Sequence, residues 1–394
     1  MIYLFLTSGL FLGWSLGANN AANVFGTAVG SKMIRLKTAA MVCGVFVIIG
    51  AVYGGAGPAN TLVSLGSVNA IAGAFMIALS AALTVFWMTK VGVPVSTSQA
   101  IVGGIIGWNF YSDIATNYSV VAKIVIAWIV CPVLSALFGI LLFIVLRSYL
   151  QKAQIHLFRI DMYLRIGLLL AGAFGSYSLG ANNIANVMGV FIPVSPFQDL
   201  NIPGWFSITG SQQLFFIGGL AIAVGVYTYS SRVMKTVGRA LLKISPMAAL
   251  VVVLSQGLVL YLFSSEHLAG WMNSIGLPSI PLVPLSSSQA VVGAIIGIGI
   301  VKGGRGIRYK VLGGIAAGWV LTPLITCIIT FVGLFFLQNV FKQEVNRQVS
   351  NSPTPVISQS LRCCDTEDDS INRITAEASG NPHKFVSLIE TAAD

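Results

Sequence analysis

Residues 17–26 read GANNAANVFG, and residues 180–189 read GANNIANVMG. Each copy lies in an otherwise apolar stretch, where an unpaired carboxamide costs on the order of 2–7 kcal/mol. Asn19 and Asn23 are one helical turn apart and share a face, with Asn20 beside them. The second copy repeats this with Asn182, Asn183 and Asn186. A single asparagine would read as polar glue between helices. Three at matching positions in two copies point instead to a lined site. Gly17, Gly26 and the Asn-Asn pair predict an interruption of the helix at this motif.

A second duplication follows in the same order. PVSTSQAIVGGIIG at 94–107 returns as PLSSSQAVVGAIIG at 284–297, and Trp128 and Pro132 return as Trp319 and Pro323. The offsets of 163, 190 and 191 place an insertion in the second half, near 191–212. Ser96 with Gln99, and Ser286 with Gln289, have the capping-box spacing that opens a helix. Pro94 and Pro284 stop any preceding helix. A helix that starts inside a membrane offers free N–H groups and its positive dipole end. Ringed by the hydroxyls of Ser96, Thr97 and Ser98, that end is an anion cradle. Ser286, Ser287 and Ser288 supply a second, so that two such ends meeting would suit an oxyanion.

The rest of the chain sets the medium. Of 394 residues 56% are hydrophobic and 9% charged, against about 25% charged in soluble domains. Mean hydropathy is +0.86. These values exclude a soluble globular domain, disorder, a disulfide scaffold and a nucleic-acid binder, despite a net charge of +10. Sixteen of the 22 Lys and Arg fall in five short connectors: Lys32, Arg35 and Lys37; Lys90; Arg147, Lys152, Arg159 and Arg165; Arg232, Lys235, Arg239 and Lys243; and Lys302, Arg305, Arg308 and Lys310. The alternating connectors, 56–68, 111–120, 191–212 and 265–283, contain none. Positive loops stay inside, so topology explains the charge.

An apolar helix needs ~20 residues to span a bilayer. About ten spans are predicted, near 1–28, 38–58, 69–89, 94–110, 121–146, 166–190, 213–230, 247–264, 284–301 and 311–338. The N-terminus is then outside, and the second five spans are inverted relative to the first, a plan of secondary transporters. The predicted architecture is an all-α polytopic membrane protein with interrupted or half helices at the midplane. Residues 1–165 form one repeat, 166–340 the second, and 341–394 a polar acidic tail outside. The N-terminus lacks the basic start of a secretory signal and reads as a retained helix in the plasma (inner) membrane. Cys43, Cys131 and Cys327 pack as small hydrophobes, while Cys363 and Cys364 are surface thiols of the tail. Four acids precede residue 341, namely Asp113, Asp161, Asp199 and Glu266, and all lie in connectors or at span ends. His156, His267 and His383 are outside the spans as well. No metal cluster, nucleophile–base pair or phosphate loop is present, so the chain reads as a non-enzyme.

Both motifs, with RVMKTVG at 232–238 and Ile244-Ser245-Pro246, resemble the inorganic phosphate transporter (PiT) family over about residues 1–340. The resemblance implies a homodimeric carrier importing inorganic phosphate by symport, with sodium or a proton as coupling ion and no cofactor. It implies that Asn23, Ser96, Thr97, Ser98, Gln99, Asn186, Ser286, Ser287, Ser288 and Gln289 bind substrate. Cation coupling falls to Asn19, Asn20, Asn182 and Asn183. The departures form a pattern. Asn20 and Asn183 stand where the family usually has Asp, Val47 and Val253 where it has further acids, and Gln99 and Gln289 where it has His. Both repeats changed alike, which reads as a retuned site and weakens the case for sodium, a cation that carboxylates commonly hold. Competing readings are a carrier of sulfate or arsenate, a passive anion channel, and a sensor or scaffold acting through the tail.

Overall fold

The computed structural model describes residues 2–347 apart from 67, 92–94, 153–155, 203–205, 241–244 and 305–308. Pro94, Lys243, Arg305, Arg308 and the tail beyond 347, with Cys363 and Cys364, lie outside the described residues. The twelve helices among the described residues are α1 (Ile2–Gly30), α2 (Leu36–Gly54), α3 (Ala56–Leu65), α4 (Ile71–Val91), α5 (Thr97–Ser112) and α6 (Tyr118–Lys152), then α7 (Leu157–Met188), α8 (Gly210–Ala240), α9 (Pro246–Leu262), α10 (Glu266–Ser274), α11 (Ser287–Val301) and α12 (Tyr309–Asn339). The insertion read from the offsets falls between α7 and α8. It holds a 3₁₀ turn, Gly189–Val194, and a hairpin of β1 (Leu200–Ile202) with β2 (Phe206–Ile208), antiparallel with Leu200 opposite Ile208.

Six helices are each long and apolar enough to cross a membrane, within α2, α4, α6, α7, α8 and α12. α9 and α10, bent by 64° at their junction, make a seventh candidate. With 16 and 15 residues, α5 and α11 rise only about 22–24 Å at ~1.5 Å per residue, less than the ~30 Å hydrocarbon core. The short α3 and α10 lie in two of the connectors read as lacking Lys and Arg.

One expectation fails. α1 and α7 run unbroken through the asparagine motif. Continuing the helix keeps every backbone N–H and C=O paired internally, the arrangement a membrane demands. The glycines serve close packing instead. A Cβ on Gly17 would overlap the Ile222 carbonyl of α8, and one on Gly180 the Val47 carbonyl of α2.

Those two contacts are counterparts, and the same correspondence runs through the whole packing scheme. Each helix that carries an asparagine motif packs on a helix from the other half of the chain: α1 on α8, α7 on α2. α5 lies against α12 and α11 against α6, while α4 supports α1 and α5 as α9 supports α7 and α11. The two halves therefore interlock within one compact unit, 1–347. α5 and α11 form its centre, with Thr97–Ile105 and Ser287–Ile295 buried throughout. α6 and α12 form the outside, with Ile129, Val133, Leu137, Ile328 and Phe335 exposed, a continuous apolar surface suited to lipid.

Candidate functional site

The site is built where the two capped helix starts meet. Ser96 Oγ accepts from Gln99 N at 3.3 Å, and Ser286 Oγ accepts from Gln289 N at 3.3 Å. Each serine thus satisfies one orphan N–H of its helix. The reciprocal half of the capping box is not made, because Gln99 Oε1 and Gln289 Oε1 are buried without a donor.

The two starts are tied to each other across the repeats. Ser98 Oγ donates to Leu285 O at 2.7 Å, and Ser288 Oγ donates to Val95 O at 3.4 Å. These are the same bond in the two copies, and they bring both serine triplets to one place. Ser286 and Ser288 hydroxyls are 3.0 Å apart. Asparagines reach the same point from the unbroken helices. Asn23 Nδ2 donates to Ser287 Oγ at 3.2 Å, and Asn186 Nδ2 to Ser98 Oγ at 2.8 Å. Four segments far apart in sequence, on α1, α5, α7 and α11, therefore converge on one polar centre.

The two asparagine sets differ in how they are held. Asn182, fully buried, grips the Leu285 backbone with both amide atoms: Nδ2 to O at 2.8 Å and Oδ1 from N at 2.9 Å. Its counterpart Asn19 is half-buried and reaches Asn20 Oδ1 at 3.4 Å. Asn20 Oδ1 also accepts from Asn23 at 3.5 Å. Asn183 donates to Leu179 O at 3.0 Å and accepts from Asn186 at 3.1 Å. Asn182, Asn183 and Asn186 are sealed, whereas Asn19 and Asn23 keep some exposure. The second-repeat side of the centre is closed and the first-repeat side is looser.

Hydrogen bonds join the expected asparagines and serines in and around this centre, while none places the side chains of Thr97, Gln99 or Gln289 there. The hydroxyls of Ser96 and Ser286 cap helices, and those of Ser98 and Ser288 bridge the repeats. Thr97, 3% exposed, makes no hydrogen bond among the described residues. Three oxygens stand without a donor: Gln99 Oε1, Gln289 Oε1 and Asn186 Oδ1. Buried acceptors left unpaired cost about 1–3 kcal/mol each. Sequence reasoning missed the Leu285 and Val95 backbones, which no residue type could signal. It also missed Cys131 and Trp128, whose Sγ and Nε1 donate to Ser286 O at 3.8 Å and Pro284 O at 3.4 Å, holding the second loop from α6. The recurrence of Trp128 four residues before a proline was the available signal.

Compared with known proteins, the chain matches a phosphate transporter family model over residues 16–329 and, in a second overlapping match, 279–380. The chain belongs to the phosphate transporter family. A relative named "Putative phosphate permease" from Methanocaldococcus jannaschii is 30% identical over 84% of this chain and 96% of its own length. The "Sulfate permease CysP" of Bacillus subtilis is 29% identical over 82% of this chain and 84% of its own. Among solved structures, "The sodium-dependent phosphate transporter" superposes with a TM-score of 0.66, covering 86% of this chain and 98% of that one, at 21% identity. At that identity the likeness speaks for the fold.

As a family member carrying several membrane-length apolar helices, the chain is an integral membrane transport protein. Within it, the centre offers helix N-termini, hydroxyls and amides, and no carboxylate or imidazole among the described residues that form it. Such a set can replace the hydration shell of an oxyanion by hydrogen bonds and dipoles, and can offer a cation neutral oxygens only.

Proposed function

We propose that this transporter carries inorganic phosphate by cation-coupled symport, through two inverted five-span repeats whose serine triplets cradle the anion. The observation that carries the reading is the pair of crossed bonds, Asn23 to Ser287 and Asn186 to Ser98, which joins both duplicated motifs in one centre. Substrate contacts fall to Asn23, Ser96, Thr97, Ser98, Gln99, Asn186, Ser286, Ser287, Ser288 and Gln289. Weak sodium sites fall to Asn19, Asn20, Asn182 and Asn183, where a monovalent phosphate itself supplies the compensating charge. The N-terminus faces outside in the plasma membrane, and the working unit is a homodimer.

Sulfate is the second reading, favoured by the Bacillus relative's name and by Asn20 and Asn183 in place of acids. The unpaired acceptor oxygens weigh against it. Phosphate near neutral pH still carries a proton to donate, while sulfate has none, so only phosphate can donate to an acceptor such as Gln99 Oε1, Gln289 Oε1 or Asn186 Oδ1. The test is uptake of radiolabelled phosphate into proteoliposomes, competed with sulfate and arsenate, under imposed sodium and proton gradients. Saturable uptake with counter-flow is expected; conductance without counter-flow would mean a channel, and competition by sulfate far below phosphate's own half-saturation would reassign the substrate.

A further inference from the structure

A polar recess lies away from the serine centre, at the ends of α6, α9 and α11. It is a recess open to the outside, of about 650 Å³, and its lining includes Phe143, Arg147, Ser245, Met247, Val301 and Lys302. Arg147 and Lys302 come from connectors more than 150 residues apart and face the same space. Among the described residues neither has a carboxylate within ion-pair distance. The Lys302 ammonium lies 5.3 Å from the centre of the buried Phe143 ring, so the charge is held over the apolar wall. Ser245 Oγ accepts from Ala248 N as the cap of α9, which leaves its hydroxyl proton free to donate.

Positive connectors serve topology, and a lysine at a helix C-terminus suits the dipole. Neither role requires the cations to converge on a recess. The duplication supplies a comparison within the molecule. The repeat offsets carry Val301 and Lys302 onto Tyr111 and Ser112, and Arg147 onto Gln338. At that counterpart corner the gap is closed by neutral groups. Tyr111 hydroxyl donates to Gln338 Oε1 at 2.8 Å, Asn346 Nδ2 donates to Ser112 O at 3.3 Å, and Trp108 Nε1 donates to Val345 O at 3.0 Å. The chain after α12 folds back over it. The corresponding corner is therefore bridged by neutral hydrogen bonds at one end and carries two cations facing one recess at the other.

We propose that this recess holds the phosphodiester headgroup of an anionic phospholipid, gripped by Arg147 and Lys302. A guanidinium offers a phosphate paired donors, and the ammonium adds a point charge. Basic recesses between membrane helices on the positive side suit such headgroups. The apolar wall argues for a lipid over free phosphate. Phe143, Met247 and Val301 line the recess, and Ile144 and Ile300 beside it are 50% and 56% exposed, a surface along which acyl chains can lie. The inference requires only that the chain sits in a membrane, and stands whatever the transported ion.

The experiment is a titration of the purified full chain in neutral detergent with short-chain phosphatidylglycerol and phosphatidylcholine, read by thermophoresis. Saturable binding of phosphatidylglycerol is expected, at least tenfold tighter than phosphatidylcholine. R147Q with K302Q should weaken it about thirtyfold, roughly fivefold per cation. K302Q alone should weaken it about fivefold, should the double variant fail to purify. R147K should stay within about threefold, and Y111F with Q338A at the counterpart corner should leave it unchanged. Equal affinity for the two lipids, or no loss in the charge-removing variants, overturns the proposal. So does displacement of phosphatidylglycerol by inorganic phosphate at comparable concentration, which would make this a free-oxyanion site.

Discussion

Replacing Asn182 and Asn19 with alanine separates two residues that the sequence makes equivalent. Asn182 holds both backbone groups of Leu285. In Asn182→Ala the Leu285 carbonyl keeps the Ser98 hydroxyl at 2.7 Å, but its N–H loses its partner at a fully buried position. An orphaned buried donor costs about 1–3 kcal/mol, and the second lost hydrogen bond about 0.5–1.5 kcal/mol. The sum is about 2–4 kcal/mol. Asn19 makes one long contact, to Asn20 at 3.4 Å, from a half-buried position, so Asn19→Ala should cost below about 1 kcal/mol. Thermal unfolding of the detergent-solubilised protein, followed by the fluorescence of its seven tryptophans, should show a drop of several degrees for Asn182→Ala and about a degree or less for Asn19→Ala. Equal shifts, or a larger one for Asn19→Ala, would refute the asymmetric clamp.

Four further outcomes are expected. Thr97→Val removes a hydroxyl that neither caps nor bridges, so phosphate half-saturation should rise several-fold with thermal stability unchanged; unaltered affinity would place the cradle elsewhere. Asn20→Asp should strengthen sodium dependence, since its Oδ1 already accepts from Asn19 and Asn23, whereas Asn183→Asp should impair transport because its amide nitrogen donates to Leu179 O. The sodium concentration for half-maximal uptake measures both, and a tight sodium requirement in the parent would contradict the weak neutral sites. Gln99→Leu and Gln289→Leu remove unpaired oxygens, so the melting temperature should hold or rise while uptake falls at least tenfold; retained uptake would show that those oxygens do not face the substrate. A cysteine at 60 should react with an impermeant reagent added outside and one at 235 should not, and the reverse would overturn the orientation.

The sequence by itself determined the medium and the duplicated motifs. Low charge and long apolar runs leave no soluble alternative, because ~20 apolar residues have only a bilayer or a core to occupy. Two motifs recurring in order identify a duplication whatever the packing. Caps were legible because Ser-x-x-Gln satisfies a helix start locally, within four residues. The asparagine motif misled for the opposite reason. Whether Gly17 and Asn20 break a helix depends on what lies against them, and the backbone of α8, some two hundred residues away, rewards a close, unbroken α1. Tertiary structure alone decided that the halves interlock, that Asn182 holds a backbone while Asn19 does not, and that Arg147 and Lys302 share a recess. Sequence identity between repeats assigns equal roles to equivalent residues. A packed structure gives each a different neighbourhood, and a hydrogen bond within 3 Å depends on that neighbourhood rather than on residue type.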